Sequence, residues 1–283
     1  MCFGVDYLPC QKFFCLPTKY LIVQEVSFIN LLPQLNYMKL KLYNGEFINL
    51  SVHGLKNKNP VIYCVGFGES QDDLLNKHFI EQLSSSFFVI TFDYRNTGKS
   101  SGNIENLKTS DMIADLKKVL KYCKVKFSSK NWGKTTIIGW SHGSIVSLIF
   151  STKQKIKNLI LIGYDGFIEK ESDFSRAWKK LRLLPDISNL KKGKLVANKR
   201  LPLKYQYHLD LKKYKKNRII PKSKAEHILI LQGSKDDFAK TKEDFSLLKQ
   251  RYEIIKIKKI GHELNISKVY PQIKKFITES LEL

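Results

Sequence analysis

The run Thr135-Thr136-Ile137-Ile138-Gly139-Trp140-Ser141-His142-Gly143-Ser144-Ile145-Val146-Ser147-Leu148-Ile149-Phe150 changes character at its middle. Before Gly139 it is short, β-branched and apolar, the composition of a buried strand; from Ile145 it continues as an uncharged, helical run. The pivot, Gly139-Trp140-Ser141-His142-Gly143, is therefore G-x-S-x-G between a strand and a helix. Small flanking glycines permit a sharp turn that leaves the Ser141 hydroxyl exposed. The N–H of the next residue, at a helix start, faces any negative charge that develops there.

A serine hydroxyl is a poor nucleophile until a base takes its proton, so the motif predicts a histidine and an orienting carboxylate downstream. His227 to Leu231 reads as a strand and runs into Gln232-Gly233-Ser234-Lys235-Asp236-Asp237. Tyr252 to Ile257 reads as the next strand, and Gly261-His262-Glu263 follows it. Taken singly, Asp236 reads as a turn residue and His262 as a loop histidine. Their joint order, Ser141, Asp236, His262, and their positions after successive strands favour a triad. Asp237 is the rival acid. His142 is disfavoured as the base, because consecutive helical residues point about 100° apart; its expected contribution is a backbone N–H.

Outward from this core the pattern alternates. Further strands are expected at 61–65, 87–92, 135–139 and 156–162, with amphipathic helices near 71–83, 108–122, 142–150, 240–250 and 267–280. That order argues for an α/β protein with a mostly parallel sheet covered on both faces. Met38 to Tyr43 alternates polar and apolar residues, and the turn Asn44-Gly45 leads into Glu46 to His53, a hairpin. Residues 165–222 hold no clear buried strand and read as an inserted cap, with 17 basic against six acidic residues. Residues 1–37 carry no net charge and three of the five cysteines, and read as an N-terminal extension before a domain at 38–283.

On these residues the chain resembles the α/β-hydrolase fold family over roughly residues 38–283, in particular its serine esterases, monoacylglycerol-lipase-like proteins and serine aminopeptidases. Val65-Gly66-Phe67-Gly68 matches the family's H-G-x-G oxyanion segment, with Val65 in the histidine's place. Asp93-Tyr94-Arg95-Asn96-Thr97-Gly98-Lys99-Ser100 resembles its D-x-R-G-x-G-x-S loop, with Asn96 at the first glycine. The resemblance implies a sheet of about eight strands, and backbone N–H groups of Phe67 and His142 as oxyanion donors. The family's G-x-x-D pattern falls on Gly233 to Asp236, which favours Asp236 over Asp237 as the acid. It also implies acyl transfer to water without metal or organic cofactor, on a small-molecule acyl ester. Alternatives are a thioester on acyl-CoA or on an acidic acyl-carrier protein, and aminopeptidase action on an amide. A catalytically silent binding protein is disfavoured by the full residue set.

Composition narrows the field further. The chain has 283 residues, 43% of them hydrophobic, enough for one large core. The net charge of +23 invites nucleic acid, yet only six of the 49 basic residues are arginine, the side chain that grips phosphate and base edges with a bidentate fork. Nucleic-acid binding is disfavoured. No run of about 18 apolar residues occurs, so no membrane span is expected. The first eleven residues hold no Lys or Arg, so the expected compartment is the cytoplasm. Cysteines without a C-x-x-C pair, and histidines without H-E-x-x-H, suggest neither disulfide framework nor zinc. Cys64, inside an apolar run, reads as core. Gly98-Lys99-Ser100 ends like a phosphate-binding loop but has Asp93 where such a loop needs glycine.

Overall fold

The structure, a computed structural model, describes residues 36–43, 45–127, 130–164, 166–167, 203–236, 245–248, 252–262 and 265–282. The extension up to residue 35, most of the expected cap (165 and 168–202), Asp237 and most of the helix expected at 240–250 lie outside the described residues.

Eight strands form one sheet: β1 (Asn36–Lys41), β2 (Phe47–His53), β3 (Pro60–Cys64), β4 (Phe88–Phe92), β5 (Thr136–Trp140), β6 (Ile156–Ile162), β7 (Ala225–Gly233) and β8 (Tyr252–Ile257). Their order across the sheet is β1-β2-β4-β3-β5-β6-β7-β8. β2 runs antiparallel to both neighbours, and every other pairing is parallel. The hairpin begins two residues before Met38, with Asn36 opposite Val52. β3, β4 and β5 are buried along their whole length. Covered on both faces, they need apolar side chains at every position, which is why they read in the sequence as unbroken apolar runs.

Two helix pairs supply the cover. α1 (Leu74–Ser84) packs against the C-terminal helix, residues Ile266–Glu282. The latter buries Val269, Ile273 and Ile277, one residue per turn along a single stripe. α2 (Thr109–Lys126) packs against α3 (His142–Ser151). All ten residues of α3 are buried, as expected of an uncharged helix held between the sheet and α2. Cys64 at the end of β3 is fully buried, and burial pushes its thiol up to about 11, out of the reactive range.

After β6 the chain leaves the sheet and rejoins it at β7. The last part of this excursion carries α4 (Tyr205–Leu211) and α5 (Lys216–Ile219), and buries Leu203, Tyr207, Leu211 and Ile220 in the core. It is pinned by Asp210, whose fully buried carboxylate accepts the Ser110 N–H at 2.8 Å at the start of α2 and pairs with Lys213 at 2.9 Å. An anion at a helix N-terminus satisfies a donor that has no acceptor within the helix.

The loop after β4 is built around Asp93. Its carboxylate, wholly buried, accepts hydrogen bonds from the Ser70 hydroxyl (2.9 Å), the Gln71 N–H (2.8 Å), the Asn49 amide (3.1 Å) and the Lys99 N–H (2.8 Å). One carboxylate thereby ties β2, the turn after β3 and its own loop together. Asn96 has a φ of +70°, which asparagine tolerates better than most side chains, so it fills the position that resembles a family glycine. Its Oδ1 accepts the Asn103 N–H at 2.9 Å. Lys99 and Ser100 are both committed to protein groups, Lys99 to Asp72 at 2.7 Å and Ser100 to the Asp93 carbonyl at 2.6 Å. Arg95 clasps buried Asp115 through Nε at 2.8 Å. Among the described residues no helix is long and apolar enough to cross a membrane, and no group of three or more His, Cys, Asp or Glu side chains is placed to hold a metal ion.

Candidate active site

Steric necessity sets the geometry at Ser141. The residue has φ +50° and ψ −119°, a region that costs a non-glycine residue on the order of 1–3 kcal/mol and persists only when its surroundings enforce it. Here they do. The Ser141 N–H donates to the Ile162 carbonyl at 2.8 Å, and the Ser144 hydroxyl donates to the Gly139 carbonyl at 2.8 Å. A Cβ on Gly139 would lie 2.4 Å from the Gly143 carbonyl oxygen, and one on Gly143 would lie 2.3 Å from the Cys64 carbonyl oxygen. Both flanking glycines are needed because backbone, not a movable side chain, occupies the space. The result is a half-buried Ser141 between the end of β5 and the start of α3.

The other two residues arrive by the same device. Gly233 ends β7, and a Cβ there would lie 2.1 Å from the Gly261 carbonyl oxygen, so only glycine lets the chain after β8 come this close. The Lys235 N–H donates to the Ile260 carbonyl at 2.9 Å and locks the two loops together. As a result His262 lies between the other two: its Nε2 is 2.9 Å from Ser141 Oγ and its Nδ1 is 3.0 Å from Asp236 Oδ2. The Asp236 side chain is wholly buried, and Gln232 donates its amide N–H to the same Oδ2. A carboxylate only accepts, so Nδ1 carries the proton and Nε2 is left to accept from the serine hydroxyl. Ser141, Asp236 and His262 are thus brought together, and Asp237 lies outside the described residues.

Phe67 and His142 are neighbours. Their rings meet edge to face with centroids 5.8 Å apart, and Tyr207 of α4 packs on both, 5.1 Å from Phe67 and 6.0 Å from His142. The His142 ring points away from the serine: its Nε2 lies 3.1 Å from the Thr109 hydroxyl and 3.5 Å from that of Tyr207. His142 stands first in α3, where a backbone N–H has no acceptor within the helix. No local pattern in the sequence pointed to Thr109 or Tyr207, because each reaches His142 across the fold.

Burial pushes His142 down from 6.5 to about 4. The folded protein keeps it neutral while the unfolded chain takes up a proton below pH 6.5, so stability present above that pH is lost as pH falls toward 4. The loss is at most about 3 kcal/mol. His142→Gln is expected to shrink the difference in urea midpoint between pH 7 and pH 4.5; an unchanged difference would place the acid sensitivity elsewhere.

Residues 59–189 match the sequence profile of the α/β hydrolase fold family. No curated protein sequence matches the chain. Among solved structures, Est1E from Butyrivibrio proteoclasticus with ferulic acid bound is 18% identical and superposes with a TM-score of 0.73, covering 87% of this chain and 100% of that one. A carboxylesterase structure from Nitrososphaera gargenis is 20% identical (87% and 99% covered, TM-score 0.62). Alpha/beta hydrolase domain-containing protein 10 from mouse is 17% identical (86% and 99% covered, TM-score 0.63). With its eight-stranded, mostly parallel sheet, the chain has the α/β-hydrolase fold.

Proposed function

We propose that the protein is a serine hydrolase that cleaves a carboxylic ester. The observation that carries this reading is the continuous chain of hydrogen bonds from Ser141 through His262 to Asp236. In it His262 takes the serine proton at Nε2, and the alkoxide attacks the ester carbonyl. The resulting oxyanion is held by the N–H groups of Phe67 and His142. Collapse expels the alcohol, to which His262 returns the proton, and leaves an acyl group on Ser141. His262 then deprotonates the water that releases the acid. Asp236 holds the imidazole in the required tautomer and stabilises the imidazolium.

The ester is the preferred substrate because two of the similar structures are described in carboxylic terms, one with ferulic acid bound and one as a carboxylesterase. The deciding experiment sets short and long p-nitrophenyl esters, acyl thioesters and aminoacyl arylamides side by side, at low and high salt. Turnover of simple neutral esters with little salt response is expected. Turnover confined to an acyl-carrier thioester, falling steeply as salt screens charges beyond about 10 Å, would replace the ester with an acidic carrier protein as substrate.

A further inference from the structure

Glu69 follows the Val65-Gly66-Phe67-Gly68 turn and takes no part in the mechanism above. Its carboxylate nevertheless reaches both halves of the site. Oε2 accepts the Gly66 N–H at 3.1 Å and the amide of buried Asn76 at 3.1 Å, while Oε1 accepts the indole N–H of Trp140 at 3.2 Å. Gly66 is the residue before Phe67, so its bond anchors the Val65–Gly66 peptide, the unit directly before the one that carries the proposed first oxyanion N–H. Trp140 is the residue before Ser141, and its indole lies behind His262, with ring centroids 5.3 Å apart and planes 32° from parallel. Asn76 is held in turn by the Tyr63 hydroxyl at 2.7 Å and by the Ser70 carbonyl at 2.9 Å. A Cβ on Gly66 would lie 2.9 Å from the Glu69 carboxyl carbon, so the glycine gives the carboxylate its place.

We propose that Glu69 is a positioning residue, one carboxylate that sets the oxyanion turn and, through Trp140, the ring of His262 in a single unit. The inference rests on the reading of Ser141 and His262 as nucleophile and base. The chemistry of the side chain explains why an acid stands here. The partners it shows are three neutral N–H donors, and a carboxylate offers acceptor lone pairs on both oxygens. Glutamine would turn an NH2 group toward at least one of those donors, and alanine would leave all three without an acceptor. Oxyanion donors and an aligned base act mainly in the transition state, so loosening them lowers kcat more than it raises KM.

Three variants test this, Glu69→Ala, Glu69→Gln and Trp140→Phe, each first checked for a cooperative thermal melt. Two readouts are independent: the NMR resonances of the Trp140 indole N–H and the His262 ring protons, and the rate at which a fluorophosphonate labels Ser141, alongside kcat and KM for p-nitrophenyl butyrate. Glu69→Ala is expected to move the Trp140 N–H resonance upfield, shift the His262 ring protons, and lower kcat and the labelling rate by about 10- to 100-fold, with KM changed by less than about threefold. Glu69→Gln is expected to fall between wild type and alanine. Trp140→Phe keeps the ring but loses the tether, and is expected to move the His262 resonances with a smaller loss of rate.

Unmoved resonances in a folded Glu69→Ala protein would overturn the inference, as would moved resonances with unchanged kcat and labelling. If Glu69→Ala fails to fold, Glu69→Gln and Trp140→Phe decide by the same criteria. A wild-type protein that neither turns over the ester nor takes the label would instead overturn the proposed function. The resonances would still show whether Glu69 holds the indole and the imidazole.

Discussion

Ser141→Ala is expected to lower kcat on a p-nitrophenyl ester by about 10⁶-fold, the scale seen when a serine nucleophile is removed from a triad. It is also expected to abolish fluorophosphonate labelling. The size follows from the division of labour. Without the hydroxyl no acyl-enzyme forms, and only the oxyanion donors and substrate binding remain to act on a direct attack by water. The fold should survive, because the bonds that hold the turn come from the Ser141 N–H and the Ser144 hydroxyl, not from Ser141 Oγ. Persistent labelling in the alanine variant would move the nucleophile to another residue.

Asp236→Asn is expected to lower kcat by about 10⁴-fold, since an amide in this place favours the wrong imidazole tautomer. The wild-type carboxylate accepts from Gln232 and His262 at the same oxygen. An asparagine that turned its NH2 there would force the other tautomer, and one that turned its oxygen there to keep Gln232 as donor would hold the tautomer but leave no charge to stabilise the imidazolium. Asp237→Asn is the matched control and is expected to stay near wild-type rate. Steady-state kinetics on the two variants decide between the acids: a crippled Asp237→Asn beside a normal Asp236→Asn would reverse the choice.

Much of this architecture is legible in the amino-acid order because it depends on short-range necessity. β3 and β5 announce themselves as unbroken apolar runs since both faces are covered, and Gly139 and Gly143 mark a turn that tolerates no Cβ. Asn96 stands in its positive-φ position as the side chain best suited to replace glycine there. The candidate base, His262, follows from its place after a strand, whereas the candidate acid needs the resemblance's Gly-x-x-Asp pattern to prefer Asp236 to Asp237.

The rest was hidden by distance along the chain. Glu69 looks like a solvated turn residue until Trp140, 71 positions later, is seen to donate to it. Asp93 reads as one letter of a loop motif, whereas its four hydrogen bonds connect residues from Asn49 to Lys99. The side chain of His142 gives no sign in the sequence that it turns away from the serine toward Thr109 and Tyr207. Such contacts follow from which loops a sheet order brings together, and no local periodicity encodes that.

The sheet order has a further consequence. Ser141 hangs on β5, flanked by β3 and β6 and buried throughout, so exposing it means opening the middle of the molecule. His262 follows β8, which among the described residues pairs only with β7 and leaves Tyr252 and Glu253 exposed. Cooperative units of a protein open with separate free energies, and a half-covered edge belongs to the low end of that range. With His262 as the proposed base, brief peeling of β8 would carry the imidazole away while the serine stays in its strained turn, chemically quiet. Reversible fluctuation of one edge would then switch the nucleophile off well before the core melts.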